Sequence, residues 1–243
     1  MFGAYQAGVW KALCREFSPD MVVGASVGSL NGWLIAGGVM GDELVERWLD
    51  PSAGELMTYR PAYSRWKSLF QPASLAAGAK LLVSHCTPRV DFGVALLEMP
   101  WLRRKLVRNG DVNWRHLVAS CSVPGGFPPV RIGDAVYCDG GLLEPTPIWA
   151  AVEMGATRVI AVNACRFLPP RAISLMMQGI GRARRPTPPL PGSLDLTMIT
   201  PKTHLGRMLE GATWRRENIE RWIELGEADA QGALRVTGVG IRS

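Results

Sequence analysis

The chain has 243 residues, of which 47% are hydrophobic and 20% charged. That balance excludes intrinsic disorder, and at about 150 residues per domain the length allows one large domain or two small ones. Twenty-seven basic residues against 21 acidic ones leave a net charge of +6, which favours an anionic partner such as a membrane surface, a nucleic acid or an acidic substrate. Without zinc-finger spacing or an RNA-binding aromatic motif, nucleic acid is not expected. Five cysteines (Cys14, Cys86, Cys121, Cys138 and Cys165) show no C-x-x-C spacing, the pattern of buried free thiols in a reducing compartment, so a cytoplasmic location is expected.

The N-terminus reads Met1-Phe2-Gly3-Ala4-Tyr5-Gln6-Ala7-Gly8-Val9-Trp10-Lys11. Its first positive charge follows the apolar stretch, the reverse of a secretory signal. Tyr5, Val9, Ala12 and Leu13 recur at helical spacing, so a helix is predicted over Phe2 to Glu16. Residues 21 to 41 carry no charge and are long enough to span a membrane. The glycines at 24, 28, 32, 37, 38 and 41 argue instead for a buried strand over 21–25, a tight turn and a helix over 27–36. A further helix is predicted over 42–49. Residues 50 to 90 read as an irregular, partly helical insertion, and no element is assigned from 91 to 113. A helix over 114–120 precedes a hairpin over 130–139 turning at Gly133-Asp134. Then come a helix over 148–154 stopped by Gly155, a buried strand over 158–163 and a strand over 194–200. Between these last two strands, residues 166–192 hold five arginines and six prolines and read as a flexible segment. With Met176 and Met177 it suits either a solvated linker or a membrane-contacting flap. A long helix over 205–234, docked on the sheet through Trp222 and Leu225, closes the chain. Alternating strands and helices imply an α/β fold, a three-layer α/β/α sandwich with a mostly parallel central sheet, in a single domain over 1–243.

Two local patterns carry chemistry. Gly24-Ala25-Ser26-Val27-Gly28 is a G-x-S-x-G between a predicted strand and a predicted helix. A serine on that turn exposes its Oγ, needs small neighbours, and sits where the helix N-terminus favours developing negative charge. Tyr137-Cys138-Asp139-Gly140-Gly141 ends a predicted strand on an aspartate followed by two glycines, at the kind of position where ligand-contacting side chains emerge from α/β sheets. Alone it reads equally as a turn. His204, the one histidine after Asp139, would formally complete a Ser–Asp–His order, but Pro201-Lys202-Thr203-His204 reads as a loop. Cys121 and Cys138 flank the motifs and suit buried packing.

The patterns also form an ordered series with Gly3-Ala4-Tyr5-Gln6-Ala7-Gly8-Val9, Ala119-Ser120, Pro124-Gly125-Gly126-Phe127-Pro128-Pro129-Val130, Pro145, Pro147, Gly155-Ala156 and the Gly226, Asp229, Ala230 tail. This series resembles the patatin-like phospholipase family over almost the whole chain. The resemblance implies a serine lipid acyl hydrolase with Ser26 as nucleophile and Asp139 as general base. It implies an acyl-enzyme, and neither metal nor cofactor. The substrate would be a phospholipid or another lipid ester, met at an anionic membrane surface by a peripheral protein. In the family a strand and a G-G-G-x-x-G loop supply the oxyanion donors. Met1-Phe2-Gly3 matches only the last three positions of that loop, so Gly3 is its one remaining glycine. Each missing donor costs roughly 10²–10³ in rate. The start therefore lies upstream of Met1, or the chain is a catalytically impaired lipid-binding remnant. Gly125-Gly126 reads as a turn, not a substitute hole. An acyltransferase shares the acyl-enzyme and differs only in the acceptor.

Overall fold

The computed structural model describes residues 1–59, 68–165 and 189–237. Most of the Arg/Pro-rich segment, residues 166–188 with Met176 and Met177, lies outside them. The described elements run α1 (Gly3–Leu13), β1 (Met21–Gly24), α2 (Val27–Ala36), α3 (Gly41–Leu49), α4 (Pro72–His85), β2 (Asp91–Met99), β3 (Arg103–Arg108) and α5 (Trp114–Ser120). They continue with β4 (Val130–Ile132), β5 (Ala135–Asp139), α6 (Ile148–Glu153), β6 (Arg158–Val162), β7 (Asp195–Ile199) and α7 (Arg216–Thr237). The uncharged stretch over 21–41 is thus a strand, a turn and a ten-residue helix. Among the described residues no helix is long and apolar enough to cross a membrane.

β2, in a stretch with no predicted element, organises the main sheet. Its run Phe92-Gly93-Val94-Ala95-Leu96-Leu97 is buried throughout, the continuous apolar pattern of a strand covered on both faces. β3 pairs antiparallel along one edge, from Gly93 opposite Arg108 to Glu98 opposite Arg103. The other edge is shared by two strands. β1 runs parallel along its first half, ending with Gly24 opposite Val94. β5 runs antiparallel along its second half, ending with Asp139 opposite Leu96. β1 and β5 therefore point at one another, and their C-terminal ends meet beside Ala95.

Helices cover both faces, as the α/β/α reading expects. α2 sits on the face carrying Val22 and Phe92, where a Cβ on Gly32 would lie 3.2 Å from each side chain. On the opposite face Gly93 approaches Met154 at the end of α6 and Val23 of β1. An apolar cluster on the α2 side joins Leu30, Trp33, Phe92, Val94, Leu96, Leu117 and Val118. The second sheet pairs β6 with β7 in parallel. β1 and β6 do not pair with each other. All residues of both strands line one cavity of about 210 Å³, together with Gln6, Val9 and Trp10 of α1.

The C-terminal part differs from the expected single helix docked on the sheet. One helical turn (Met208–Gly211) precedes α7, and α7 packs chiefly on α1. Neither Gly8 nor Gly226 leaves room for a Cβ: Gly8 lies against the Ile223 carbonyl and Gly226 against that of Tyr5. Tyr5 donates to the buried Asp229 carboxylate at 3.1 Å. Trp222 is fully buried in this contact, with its ring edge-on to Phe2 at 4.9 Å.

Candidate active site

Ser26 is the N-cap of α2 and has φ 54° and ψ −138°, a positive φ that a non-glycine residue holds only when its surroundings impose it. The glycines around it serve that turn differently. A Cβ on Gly24 would fall 2.5 Å from the Ser29 Cα and closer still to the Gly28 carbonyl oxygen. A Cβ on Gly28 would meet only the Gln6 Nε2 at 3.3 Å. Gly24 is therefore required by backbone crowding, whereas a Cβ on Gly28 would ask only that the end of the Gln6 side chain give way. The Ser29 hydroxyl donates to the Ser26 carbonyl at 2.7 Å.

Asp139 ends β5 and is 3% exposed. Burial pushes its carboxyl up to about 6, against the pull of hydrogen bonds from the Ser26 side chain and the Gly141 N–H. The Gly141 bond to Oδ1 is 2.7 Å long. Gly140 is pressed on the central strand, where a Cβ would lie 2.5 Å from the Ala95 carbonyl oxygen. The predicted pair Ser26 and Asp139 is thus brought together by two strands that meet end to end. His204 is exposed, and the groups acting on Asp139 include no histidine.

The end of α5, where the ordered series has Ala119-Ser120, holds both members of the pair, a role the sequence patterns do not assign to it. Asn113 caps this helix through a bond from the Arg115 N–H at 2.9 Å, while His116 Nδ1 accepts from the Asn113 N–H at 3.1 Å. At the other end, the fully buried Ser120 hydroxyl accepts from the Ser26 N–H at 2.9 Å and donates to the Ala95 carbonyl at 3.3 Å. Two residues on, the Ser122 carbonyl accepts from the Asp139 N–H at 3.2 Å.

Gly3, the tentative oxyanion glycine, opens α1 and packs on Val27, the residue after Ser26. The N-termini of α1 and α2 therefore lie side by side, and the first N–H groups of a helix have no intrahelical acceptor. Asn31 locks the two helices together: its side-chain amide donates to the Gly3 carbonyl at 3.0 Å and the Gln6 Oε1 at 2.9 Å. Its oxygen accepts from Trp48 Nε1 at 3.0 Å. Gly125-Gly126 is a turn, with the Gly126 N–H bonded to the Val123 carbonyl at 2.9 Å. Cys138 is buried, packed with Leu97 and Leu142, and burial pushes its thiol up to about 12. Cys121 is likewise pushed up by burial and then by Asp139, so both are protonated packing groups.

The family model described as "Patatin-like phospholipase" matches residues 1–84 and 101–152, more than half of the 243 residues and both members of the pair. The chain belongs to the patatin-like phospholipase family. That places it in a family of lipid acyl hydrolases. A curated relative, "Lysophospholipase NTE1" of Debaryomyces hansenii, is 33% identical over 57 residues. The alignment covers 24% of this chain and 4% of that protein, so the chain spans a small part of the relative's length. Among solved structures, that of the type III effector protein ExoU aligns with 97% of this chain and 51% of its own, at 13% identity and a TM-score of 0.41.

Proposed function

We propose that the chain is a serine lipid acyl hydrolase in which Ser26 and Asp139 form a catalytic dyad, with a phospholipid or related lipid ester as substrate. The observation that carries this reading is the placement of a strained helix-cap serine beside a buried carboxylate whose pKa is raised to about 6, where the two strands that lead to them meet end to end. A carboxylate of ordinary pKa near 4 is a weak base for a serine, and one near 6 is better matched to neutral pH. As Ser26 Oγ attacks the ester carbonyl, its proton passes to Asp139. Collapse of the tetrahedral adduct breaks the ester C–O bond, and the leaving alcohol takes that proton. Water then attacks the acyl-enzyme, giving its proton to Asp139 and releasing the acid. Asp139 returns the proton to Ser26. The adjoining N-termini of α1 and α2, with Gly3 and Val27, are the donors this chain offers the oxyanion. The steps use no metal or cofactor.

The test is chemical. A fluorophosphonate probe labels a serine only when it is activated, so the reading expects labelling at Ser26 and its loss in Ser26→Ala. Ester hydrolysis is expected to vanish in Ser26→Ala and Asp139→Asn alike. Hydrolysis persisting in either variant sinks the dyad. The basic surface suits a peripheral protein at an anionic membrane, and the 243 residues are read as one domain.

A further inference from the structure

The β2–β3 hairpin continues beyond the dyad. Asp139 is opposite Leu96, and three more residues of β2, about 10 Å of strand, lead to a turn at Pro100-Trp101-Leu102. β1 runs parallel to β2 and ends at the nucleophile turn, so this tip projects from the same end of the sheet as Ser26. Trp101 at the tip is 68% exposed, more than any other large hydrophobic side chain among the described residues. A tryptophan so placed adds little to the packing of the protein's own core.

Its neighbours are cations. Arg103 and Lys105 alternate along β3 and are exposed, as is Arg131 of β4, which β5 joins in register to the end of β2 through Val136 and Met99. None of the three forms an ion pair among the described residues. Arg104, between them, is engaged: it pairs with Glu144 at 3.4 Å and lies over the Trp149 ring at 5.4 Å. That contact ties the hairpin to the loop that follows Asp139. The acids nearby are the exposed Asp134 in the β4–β5 turn and the half-buried Glu98, so the balance at the tip is positive. Leu81 is the other strongly exposed apolar side chain, at 61%, but its neighbour Lys80 is held over the Trp114 ring at 4.6 Å.

We propose that the β2–β3 tip docks the protein on an anionic lipid bilayer, with Trp101 at the headgroup level and Arg103, Lys105 and Arg131 against lipid phosphates and carboxylates. An amphipathic indole favours the membrane–water interface, and basic residues beside it add attraction to anionic lipid. The proposal rests on the lipid-hydrolase reading for its choice of partner, since a lipid ester is met at a bilayer surface. Docked this way, the protein turns the sheet end that carries Ser26 toward the lipid.

The experiment is co-sedimentation of the full chain with phosphatidylcholine vesicles, with and without phosphatidylserine, alongside hydrolysis of a soluble short-chain ester. Arg103→Gln with Lys105→Gln removes two cations, each worth about 1 kcal/mol at an anionic surface. Binding to phosphatidylserine vesicles is then expected to weaken roughly thirtyfold. Trp101→Ser weakens it separately, and Trp101→Phe retains most of it. All variants should keep the wild-type melting temperature and the wild-type rate on the soluble ester. Absence of wild-type binding to phosphatidylserine vesicles, or unchanged binding in the variants, would each overturn the proposal. If tip-dependent binding is found but the wild type turns over no soluble ester, docking stands and the hydrolase reading fails.

Discussion

Asp139 carries a cost that a single substitution exposes. Its carboxyl is held near 6 in the fold against an ordinary 3.8, because burial penalises the charged form more than the Ser26 and Gly141 hydrogen bonds favour it. A raised carboxyl pKa means the folded state binds the proton more tightly than the unfolded state does. Stability is then fully present below about pH 4 and falls as pH rises to about 6. The loss above that pH amounts to about 3 kcal/mol at most. Asp139→Asn keeps the shape and the oxygen that accepts from the Gly141 N–H, at 2.7 Å in the wild type, but cannot ionise. The variant is therefore expected to be inactive yet more stable than the wild type at pH 8, by up to about 3 kcal/mol. At pH 4 the two should be equal. Urea unfolding at both pH values measures the difference. A destabilised variant at pH 8, or a gain of the same size at both, would falsify the account of a buried, unfavourably charged base. The wild type's kcat/KM on a soluble ester should rise with pH through an apparent pKa of about 6.

Three further outcomes test the site. Gly24→Ala drives a Cβ into the backbone of residues 28 and 29 and should abolish folding or cost more than about 3 kcal/mol. Gly28→Ala meets only the end of the Gln6 side chain and should cost less than about 1.5 kcal/mol; equal losses in thermal denaturation would contradict the crowding argument. Ser120→Ala leaves the Ser26 N–H without its 2.9 Å acceptor, which should cost about 1–3 kcal/mol in stability and lower kcat more than KM as the nucleophile turn relaxes.

The elements legible in the sequence are those whose signals are local. Pro19-Asp20 before an apolar run, the helical spacing of Tyr5 and Val9, and the Gly155 stop each mark a boundary within a few residues. The termination of α1 at Leu13 and of β1 at Gly24 falls within three residues of the expectation. What failed were readings that depend on partners far along the chain. α7 has an apolar stripe that suits a sheet or a helix equally. Only the fit of Gly226 against Tyr5 and of Gly8 against Ile223 assigns it to α1. Ser120 and Ser122 look like ordinary helix-end residues, because nothing local records that their partners are residues 26 and 139.

β2 is the instructive omission. Its apolar run from Phe92 to Leu97 was visible, yet without it Ser26 and Asp139 were two motifs 113 positions apart, joined only by resemblance. β2 supplies the physical link: along one edge it pairs β1 up to Gly24, opposite Val94, and β5 up to Asp139, opposite Leu96, so the strand end that leads to Ser26 and the one that carries Asp139 lie two register positions apart. The same strand explains why the glycines differ in kind. Gly140 must clear the Ala95 carbonyl because β5 ends where β1 also ends, whereas Gly24 must clear its own helix because β1 turns away at that point. The approach of Ser26 to Asp139 is thus a consequence of two strands competing for one edge, each forced to leave the sheet at the place where the other arrives.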